Sequence, residues 1–216
     1  MNNGSFKRLK LSYIEKGDLI RARLKEFRDI LEGGDDKRIF EELAFCILTA
    51  GASAKMGIRS IDAIRDILFD AGATVLSKRL QHIHRFPNSR ARYIVHTRDH
   101  LESEFDFKLR DLIDSFKHPL DRRDFFATYK DIKGVGYKEA SHFLRNIGFC
   151  GYGILDKHIL RCLYELRLIK SSRPPTTRKR YLRIENRLKK LATALRIDFD
   201  ELDLLLWSER TGEILK

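Results

Sequence analysis

A glycine-containing turn joins two predicted helices in the second half of the chain. Residues 120–129 and 138–147 repeat apolar side chains at helical spacing, and Gly134-Val135-Gly136 lies between them. Glycine adopts backbone angles that other residues avoid, so this segment predicts a tight turn whose backbone N–H groups point outward. The second helix adds free N–H groups and the positive end of its dipole. We therefore predict an anion site here, suited to a nucleic-acid phosphate.

The remainder of the chain has the same helical period. It contains neither an alternating strand pattern nor an internal repeat of about 20–50 residues, so the sequence predicts an all-α fold. The other predicted helices cover residues 19–31, 36–50, 58–69, 74–80, 89–101, 109–115, 156–166, 178–195 and 202–208. Gly72 is the predicted stop of the helix at 58–69, and the helix that ends at 101 begins at residue 88 or 89. Caps are expected at Ser53 or Ser60, Asn88 or Ser89, Asp156, Thr177, and Asp198 or Asp200.

Lys138, just after the turn, and Asp156, at the start of a later helix, together suit chemistry at a sugar carbon. A neutral lysine amine can attack the sugar carbon of a nucleoside and hold it as a Schiff base. An ordinary lysine has a pKa of about 10.4, so such a nucleophile needs a desolvated pocket or a positive neighbour. A carboxylate nearby stabilises the oxocarbenium-like charge as the glycosidic bond breaks. Taken singly, the two residues also fit a solvated lysine and a helix N-cap.

These residues lie in a longer pattern, IKGVGYKEA at residues 132–140 followed by ILDKHI at residues 154–159. The pattern resembles the helix–hairpin–helix plus aspartate signature of DNA base-excision glycosylases related to endonuclease III. The continuation EASHFLRNIG at residues 139–148, the upstream LAFCILTA at residues 43–50 and the terminal Lys216 are similar to the archaeal-type 8-oxoguanine DNA glycosylase/lyase. The resemblance runs from about residue 38 to the end of the chain.

The resemblance implies two helical lobes and an active-site cleft between them that receives a flipped nucleotide. One lobe would be a six-helix bundle at residues 38–150 that contains the hairpin; the other would combine residues 1–37 with 151–216. It also implies a bifunctional enzyme, a DNA N-glycosylase and AP lyase that removes 8-oxoguanine. In such an enzyme Lys138 forms the Schiff base, Asp156 stabilises the sugar cation, and β-elimination cuts the strand. Two alternatives stay open: a glycosylase for other oxidised bases, and a non-catalytic helix–hairpin–helix DNA-binding module.

Three further residues are candidates for base recognition. Phe86 lies where the helical pattern breaks before Pro87, so its ring either stacks on an extruded base or folds back on the core. Trp207 closes the apolar run LLLW, where core packing is the alternative to base contact. Lys216 carries an ammonium and an α-carboxylate, and the resemblance implies that it reaches the base pocket; a frayed terminus is the alternative.

DNA contacts are expected at the hairpin and beside Asp156. Gly134, Val135 and Gly136 would bind phosphate through the backbone, with Lys133 and His158 adding side-chain contacts. Lys133 equally fits a solvated charge, and His158 an ordinary residue on a helix surface. The basic run at Arg178-Lys179-Arg180 is interpreted as a solvated face.

The composition favours one class of partner and argues against several cofactors. Lysine and arginine exceed aspartate and glutamate by 43 to 31, a net charge of +12, which favours a polyanionic partner; a basic, solvated surface is the alternative. The resemblance implies that this partner is double-stranded DNA containing 8-oxoguanine. The three cysteines are widely spaced with no C-x-x-C motif, which supports neither a zinc site nor a redox motif and excludes the iron–sulfur cluster of many endonuclease III relatives. No metal and no other cofactor is expected, and the resemblance leaves open only a monovalent cation on the hairpin carbonyls of Ile132 and Val135. No apolar leader or membrane-length segment is seen, and we expect a cytoplasmic, nucleoid-associated monomer with no membrane partner.

Overall fold

The computed structural model describes residues 3–215, and within them all regular secondary structure is helical. Eleven α-helices and one short 3-10 segment are present, and no strand is found in this part of the chain, which confirms the all-α prediction. The elements are α1 (Asn3–Gly33), α2 (Asp36–Thr49), α3 (Ala54–Ile64), the 3-10 segment (Arg65–Ile67), α4 (Ala73–Leu80), α5 (Pro87–Phe105), α6 (Leu109–Asp114), α7 (Pro119–Thr128), α8 (Tyr137–Asn146), α9 (Lys157–Glu165), α10 (Arg178–Leu195) and α11 (Phe199–Thr211).

The helices separate into two compact units. One unit consists of the described residues within Met1–Arg28 and Gly148–Lys216; the other is Asp29–Ile147. No helix in the described part of the chain combines the length and hydropathy needed to cross a membrane.

Helix α2 is the centre of the unit at residues 29–147. Every residue from Ile39 to Thr49 is buried, and α2 packs against α3, α5, α6 and α8. One buried polar contact ties α2 to α8, because Glu42 accepts a hydrogen bond from Asn146 Nδ2 at 3.2 Å. Arg38 neutralises the same carboxylate at 3.2 Å. A buried charge that is both paired and hydrogen-bonded is tolerated, so this contact can fix α8 against the central helix.

In the other unit, α11 packs against α9 and α10 and also binds the first half of α1. Glu209 of α11 accepts a hydrogen bond from Ser12 at 2.6 Å and one from the Lys16 ammonium at 2.8 Å. Tyr13 donates to Glu201, which lies earlier on α11. These contacts explain why α1 begins at Asn3 rather than near residue 19, as its apolar spacing alone predicted.

Other helix starts also differ from the predicted ones, and one of them is that of α11, which begins at Phe199 rather than at residue 202. The Ser53 side chain accepts the Met56 N–H at 3.2 Å, so α3 begins at Ala54 rather than at residue 58, and it ends at Ile64. Gly72 precedes α4 instead of ending α3. Helix α5 begins at Pro87, not at residue 88 or 89, because proline has no N–H to leave unsatisfied in the first turn.

Candidate active site and DNA-binding hairpin

The turn between α7 and α8 is held against α5 by close packing at Gly134. Gly134 has φ +75°, in the left-handed region that favours glycine. A Cβ at this position would lie 2.7 Å from Cδ2 of the Tyr93 ring, which is closer than carbon atoms approach. Ile132 and Val135 on either side are buried, at 4% and 9% exposure. The glycine is therefore required both by the backbone angle and by the ring of α5.

The backbone amides of this turn divide into bonded and free donors. Lys133 N–H donates to Thr97 Oγ1 at 3.0 Å, and Gly136 N–H donates to Glu139 Oε2 at 3.3 Å. The amides of Gly134 and Val135 donate to no acceptor among residues 3–215. Two free N–H groups beside a helix N-terminus form a site that can bind an anion without side-chain help.

Lys138 is the second residue of α8, and its side chain is 25% exposed. Its Nζ lies 3.3 Å from Oε1 of Glu139, the carboxylate that also accepts the Gly136 N–H. The amine is therefore held at the same helix end as the free hairpin amides.

Arg90 of α5 contacts the carbonyl at the end of α2 and two aromatic rings near the hairpin. It donates a hydrogen bond to the carbonyl of Ala50 at the end of α2. Its guanidinium carbon lies 5.8 Å from the centre of the Tyr93 ring and 6.0 Å from that of Phe86. Burial lowers the pKa of the Arg90 guanidinium, while the charges of Tyr93 and Glu139 act in the opposite direction. Its Nε is buried with no acceptor in the described chain.

Phe86 is an exposed aromatic residue, with 41% of its surface accessible. The Arg85 guanidinium carbon lies 5.0 Å from the ring centre on the same loop. The ring therefore does not fold back on the core, the second of the two interpretations that the sequence left open.

His84 fixes the backbone on which Phe86 stands. Its Nδ1 accepts the Phe86 N–H at 2.9 Å, so the proton of the neutral ring is on Nε2, which donates to the Leu48 carbonyl at 2.8 Å. Burial lowers the pKa of His84; the hydrogen bond to Leu48 opposes this, and the positive charge of Arg90 adds to it. The neutral imidazole thereby links the end of α2 to the start of α5.

Asp156 is the N-cap of α9 in the other unit. Its Oδ1 accepts the N–H groups of His158 and Ile159, both at 2.8 Å. The second carboxylate oxygen accepts no hydrogen bond among residues 3–215. One oxygen thus fixes the side chain while the other stays available for charge stabilisation, so the cap is compatible with a catalytic role.

The extended segment that leads to Asp156 is held by buried acidic and tyrosine side chains of α10 and α11. Glu185 accepts the Gly153 N–H at 2.9 Å, and Asp203 accepts the Ile154 N–H at 3.2 Å. The Tyr181 hydroxyl donates to the Gly153 carbonyl at 2.6 Å. Backbone groups outside a helix need such partners when buried, so these three side chains hold the segment that precedes α9.

Trp207 and His158 lie near each other in this unit. Their ring centres are 6.5 Å apart at 82°, an edge-to-face arrangement. Trp207 is half-buried, whereas the preceding Leu204, Leu205 and Leu206 are buried. The indole is thus not a fully buried core residue.

The chain matches a sequence model of the helix–hairpin–helix family described as 8-oxoguanine DNA glycosylase, over residues 20–197. It is 40% identical over 201 residues to the 8-oxoguanine DNA glycosylase/AP lyase of Methanocaldococcus jannaschii, covering 92% of each chain. The chain belongs to the 8-oxoguanine DNA glycosylase family.

Solved structures of this glycosylase family superpose on nearly the whole chain. The crystal structure of the 8-oxoguanine DNA glycosylase of Thermotoga maritima has a TM-score of 0.88 and 35% identity, and covers 99% of each chain. The Methanocaldococcus jannaschii enzyme in complex with a 15mer DNA containing 8-oxoguanine has a TM-score of 0.86 and 37% identity, covering 97% of this chain and all of that one. The family resemblance and the helix–hairpin–helix fold are therefore confirmed.

The structure brings the predicted site residues together in two groups. Lys138 lies beside Gly134, Val135 and Gly136 in one unit, with Phe86 linked to them through Arg90. Asp156, His158 and Trp207 lie together in the other. Lys133 belongs to the first group, but its ammonium contacts its own turn, at 2.5 Å from the Lys130 carbonyl and 3.9 Å from Asp131. Lys216 lies outside the described residues. Their catalytic and binding roles remain predictions.

The sequence did not indicate Arg90, Glu139 or His84 as residues of the site. Glu139 could have been found, because a glutamate three residues after a helix cap is a known N-terminal signal. Arg90 and His84 carry no local signal, since their contacts come from distant residues such as Ala50 and Leu48. The side chains Glu185 and Asp203 that support the segment before Asp156 are equally non-local.

Proposed function

We propose that this chain is a bifunctional DNA glycosylase and AP lyase that removes 8-oxoguanine from double-stranded DNA. The family match and the names of its relatives support this activity. The observation that carries the mechanism is the place of Lys138, in the first turn of α8 beside the free amides of Gly134 and Val135. Phosphate binding requires the amides alone, whereas a half-buried amine beside them suits attack on the sugar of the bound nucleotide.

The proposed reaction begins at C1′ of the damaged nucleotide. The neutral Nζ of Lys138 forms a bond to C1′, and the C1′–N9 bond breaks with its electron pair leaving on the base. Opening of the sugar ring gives an imine between Nζ and C1′, which acidifies the 2′ protons. Loss of one of these protons to water expels the 3′ phosphate, and the strand is cut by β-elimination.

Asp156 is proposed to stabilise the positive charge that develops on the sugar as the base leaves. The carboxylate is fixed through Oδ1 by two backbone N–H groups, which leaves Oδ2 to face the cation. A preoriented charge of this kind costs little reorganisation during the reaction.

The base and the DNA backbone would contact the remaining candidates. The exposed ring of Phe86 and the half-buried indole of Trp207 offer flat surfaces for an extruded base, and Lys216 is proposed to read it. The hairpin amides bind phosphate, with His158 and Lys133 in supporting contacts. We propose that the enzyme acts as a monomer.

The role of Lys138 is tested by borohydride trapping on duplex DNA containing 8-oxoguanine. The protein should become covalently attached to the DNA, and Lys138→Gln should abolish the adduct while DNA binding survives. Lys78→Gln, an exposed lysine on α4, is the matched control and should trap as well as the unaltered chain. If the unaltered chain gives no adduct but keeps salt-sensitive DNA binding, the non-catalytic DNA-binding function is favoured instead.

Two substitutions separate the catalytic role proposed for Asp156 from its role as the N-cap of α9. Asp156→Asn retains an N-cap of equal quality, so α9 and the free energy of unfolding should be preserved while base release falls at least about 100-fold. Asp156→Ala should in addition destabilise the protein by about 1 kcal/mol. Normal base release by Asp156→Asn, measured in single turnover at saturating protein, would remove this residue from the mechanism.

A further inference from the structure

We propose that Glu139 is the counter-ion of the lysine nitrogen, and that it stabilises the charged Schiff base formed after the base has left. This role rests on the proposed function of Lys138. It adds a second catalytic side chain from α8, one that contacts the reacting nitrogen directly.

The contact between Lys138 and Glu139 is not a consequence of helix geometry. Consecutive residues of an α-helix point in directions about 100° apart and do not face each other. Glu139 reaches the amine because its side chain turns back toward the start of α8, where Oε2 accepts the Gly136 N–H at 3.3 Å. The other oxygen then lies 3.3 Å from Nζ. A single carboxylate therefore joins the hairpin backbone to the nucleophile.

The surroundings of this carboxylate hold it in place and suit a negative charge. The Gly136 N–H donates to it, which fixes the orientation of the side chain. It lies in the first turn of α8, where the helix dipole stabilises an anion. The guanidinium of Arg90, on α5, interacts electrostatically with this carboxylate. With 16% of the side chain exposed, Glu139 is also sheltered from much of the solvent screening.

The lysine nitrogen remains positively charged after the base has left. After attack, Nζ is bonded to C1′ and carries two protons and a positive charge. One proton moves from Nζ to O4′, the C1′–O4′ bond breaks, and the nitrogen lone pair forms the C1′=Nζ double bond. The positive charge is conserved on the protonated imine. An anion already placed 3.3 Å from Nζ lowers the energy of this intermediate without having to move.

Glu139→Gln is the decisive variant, because the amide oxygen can still accept the Gly136 N–H while the negative charge is lost. Two single-turnover rates are measured at saturating protein: release of 8-oxoguanine, and strand cutting with borohydride trapping on a preformed abasic site. We expect the ratio of strand cutting to base release to fall about tenfold, because a partner charge that is only partly screened is removed from the imine. Lys78→Gln should leave this ratio unchanged.

The outcomes separate this inference from the proposed function. An unchanged ratio in Glu139→Gln, with Lys138→Gln still unable to trap, overturns the counter-ion role and leaves Lys138 as the nucleophile. Trapping by Lys138→Gln equal to that of the unaltered chain overturns Lys138 as the nucleophile, and the absence of any adduct with the unaltered chain overturns the proposed function itself. Should Glu139→Gln melt below the assay temperature, both rates are measured at a lower temperature at which this variant and the unaltered chain are folded. An unchanged ratio there likewise overturns the counter-ion role.

Discussion

Gly134 shows how one residue can be required for two independent reasons. Its positive φ angle disfavours any residue with a Cβ, and the Tyr93 ring occupies the space that a Cβ would need. Gly51 provides a natural comparison in the same unit, since its φ is +73° and, apart from its two chain neighbours, no described residue has an atom within 4 Å of the position that a Cβ would take. The two glycines differ in the second requirement alone.

Gly134→Ala and Gly51→Ala should therefore lose different amounts of stability. Both incur the left-handed backbone cost of about 1 kcal/mol, and Gly134→Ala adds a steric cost of about 1–3 kcal/mol. The free energy of unfolding from urea titration measures both. Equal losses in the two variants would mean that the hairpin moves freely away from Tyr93.

At the residue scale, the sequence indicates candidate site residues where the chemistry is local. Lys138 and Asp156 are proposed from a spacing that can be read along the chain, and Phe86 from its place before Pro87; their roles stay predictions. Glu139 lies within the same motif, and its turn toward the Gly136 N–H follows the capping-box spacing, but that spacing does not specify its contact with the Lys138 amine. Arg90 depends on the packing of α5 against the hairpin, which sequence alone does not supply.

At the level of elements, the loop before α5 is held by a histidine rather than by a conventional cap. His84 joins the Leu48 carbonyl of α2 to the Phe86 N–H, and both ring nitrogens are used. Protonation of Nδ1 would remove the acceptor for Phe86. The loop that presents the exposed ring is therefore sensitive to the charge state of His84.

The pKa of His84 is lowered from its ordinary value of 6.5, which fixes the sign of a pH effect. As pH falls below 6.5 the unfolded chain binds a proton before the folded chain does, so this contribution to stability is present above pH 6.5 and is lost toward the lowered pKa. His84→Gln should flatten this part of the stability curve, measured by urea titration from about pH 7.5 down to about pH 5. His118→Gln, an exposed histidine, is the control and should keep the full slope.

Helix boundaries were predictable where caps act alone. Thr177 and Asp198 begin α10 and α11 by accepting backbone N–H groups in the next turn, as their residue types indicate. The start of α1 was not, because the residues before position 19 are stabilised as a helix by contacts with α11. Tertiary contacts outweigh local pattern in such cases.

For the molecule as a whole, the net charge of +12 predicts how DNA affinity responds to salt. Each phosphate neutralised by the protein contributes a slope of about −0.9 in a plot of log affinity against log salt. We expect a steep loss of affinity for undamaged duplex between about 50 and 200 mM salt, measured by fluorescence anisotropy. The preference for lesion over undamaged DNA should change far less, because the phosphate contacts are common to both. A flat salt response would contradict a phosphate-based interface.

The all-α fold and the family were predictable from sequence because they rest on periodicity and on one contiguous motif. The side chains that support the site were not predictable, because they join segments that are far apart in the sequence. Glu185 and Asp203 hold the backbone before Asp156 from positions 32 and 49 residues away in the chain. A buried carboxylate on an amphipathic helix has no sequence signature that distinguishes it from a surface charge.

The free donors of the hairpin belong to the main chain, and this has a consequence for mutagenesis. Replacing a side chain leaves the amides of Gly134 and Val135 in place. An alanine scan would therefore not detect the part of the loop that is proposed to bind DNA. Proline is the one natural residue that deletes an amide hydrogen. Loss of DNA affinity in Val135→Pro but not in Val135→Ala would expose a contact that ordinary scanning cannot detect.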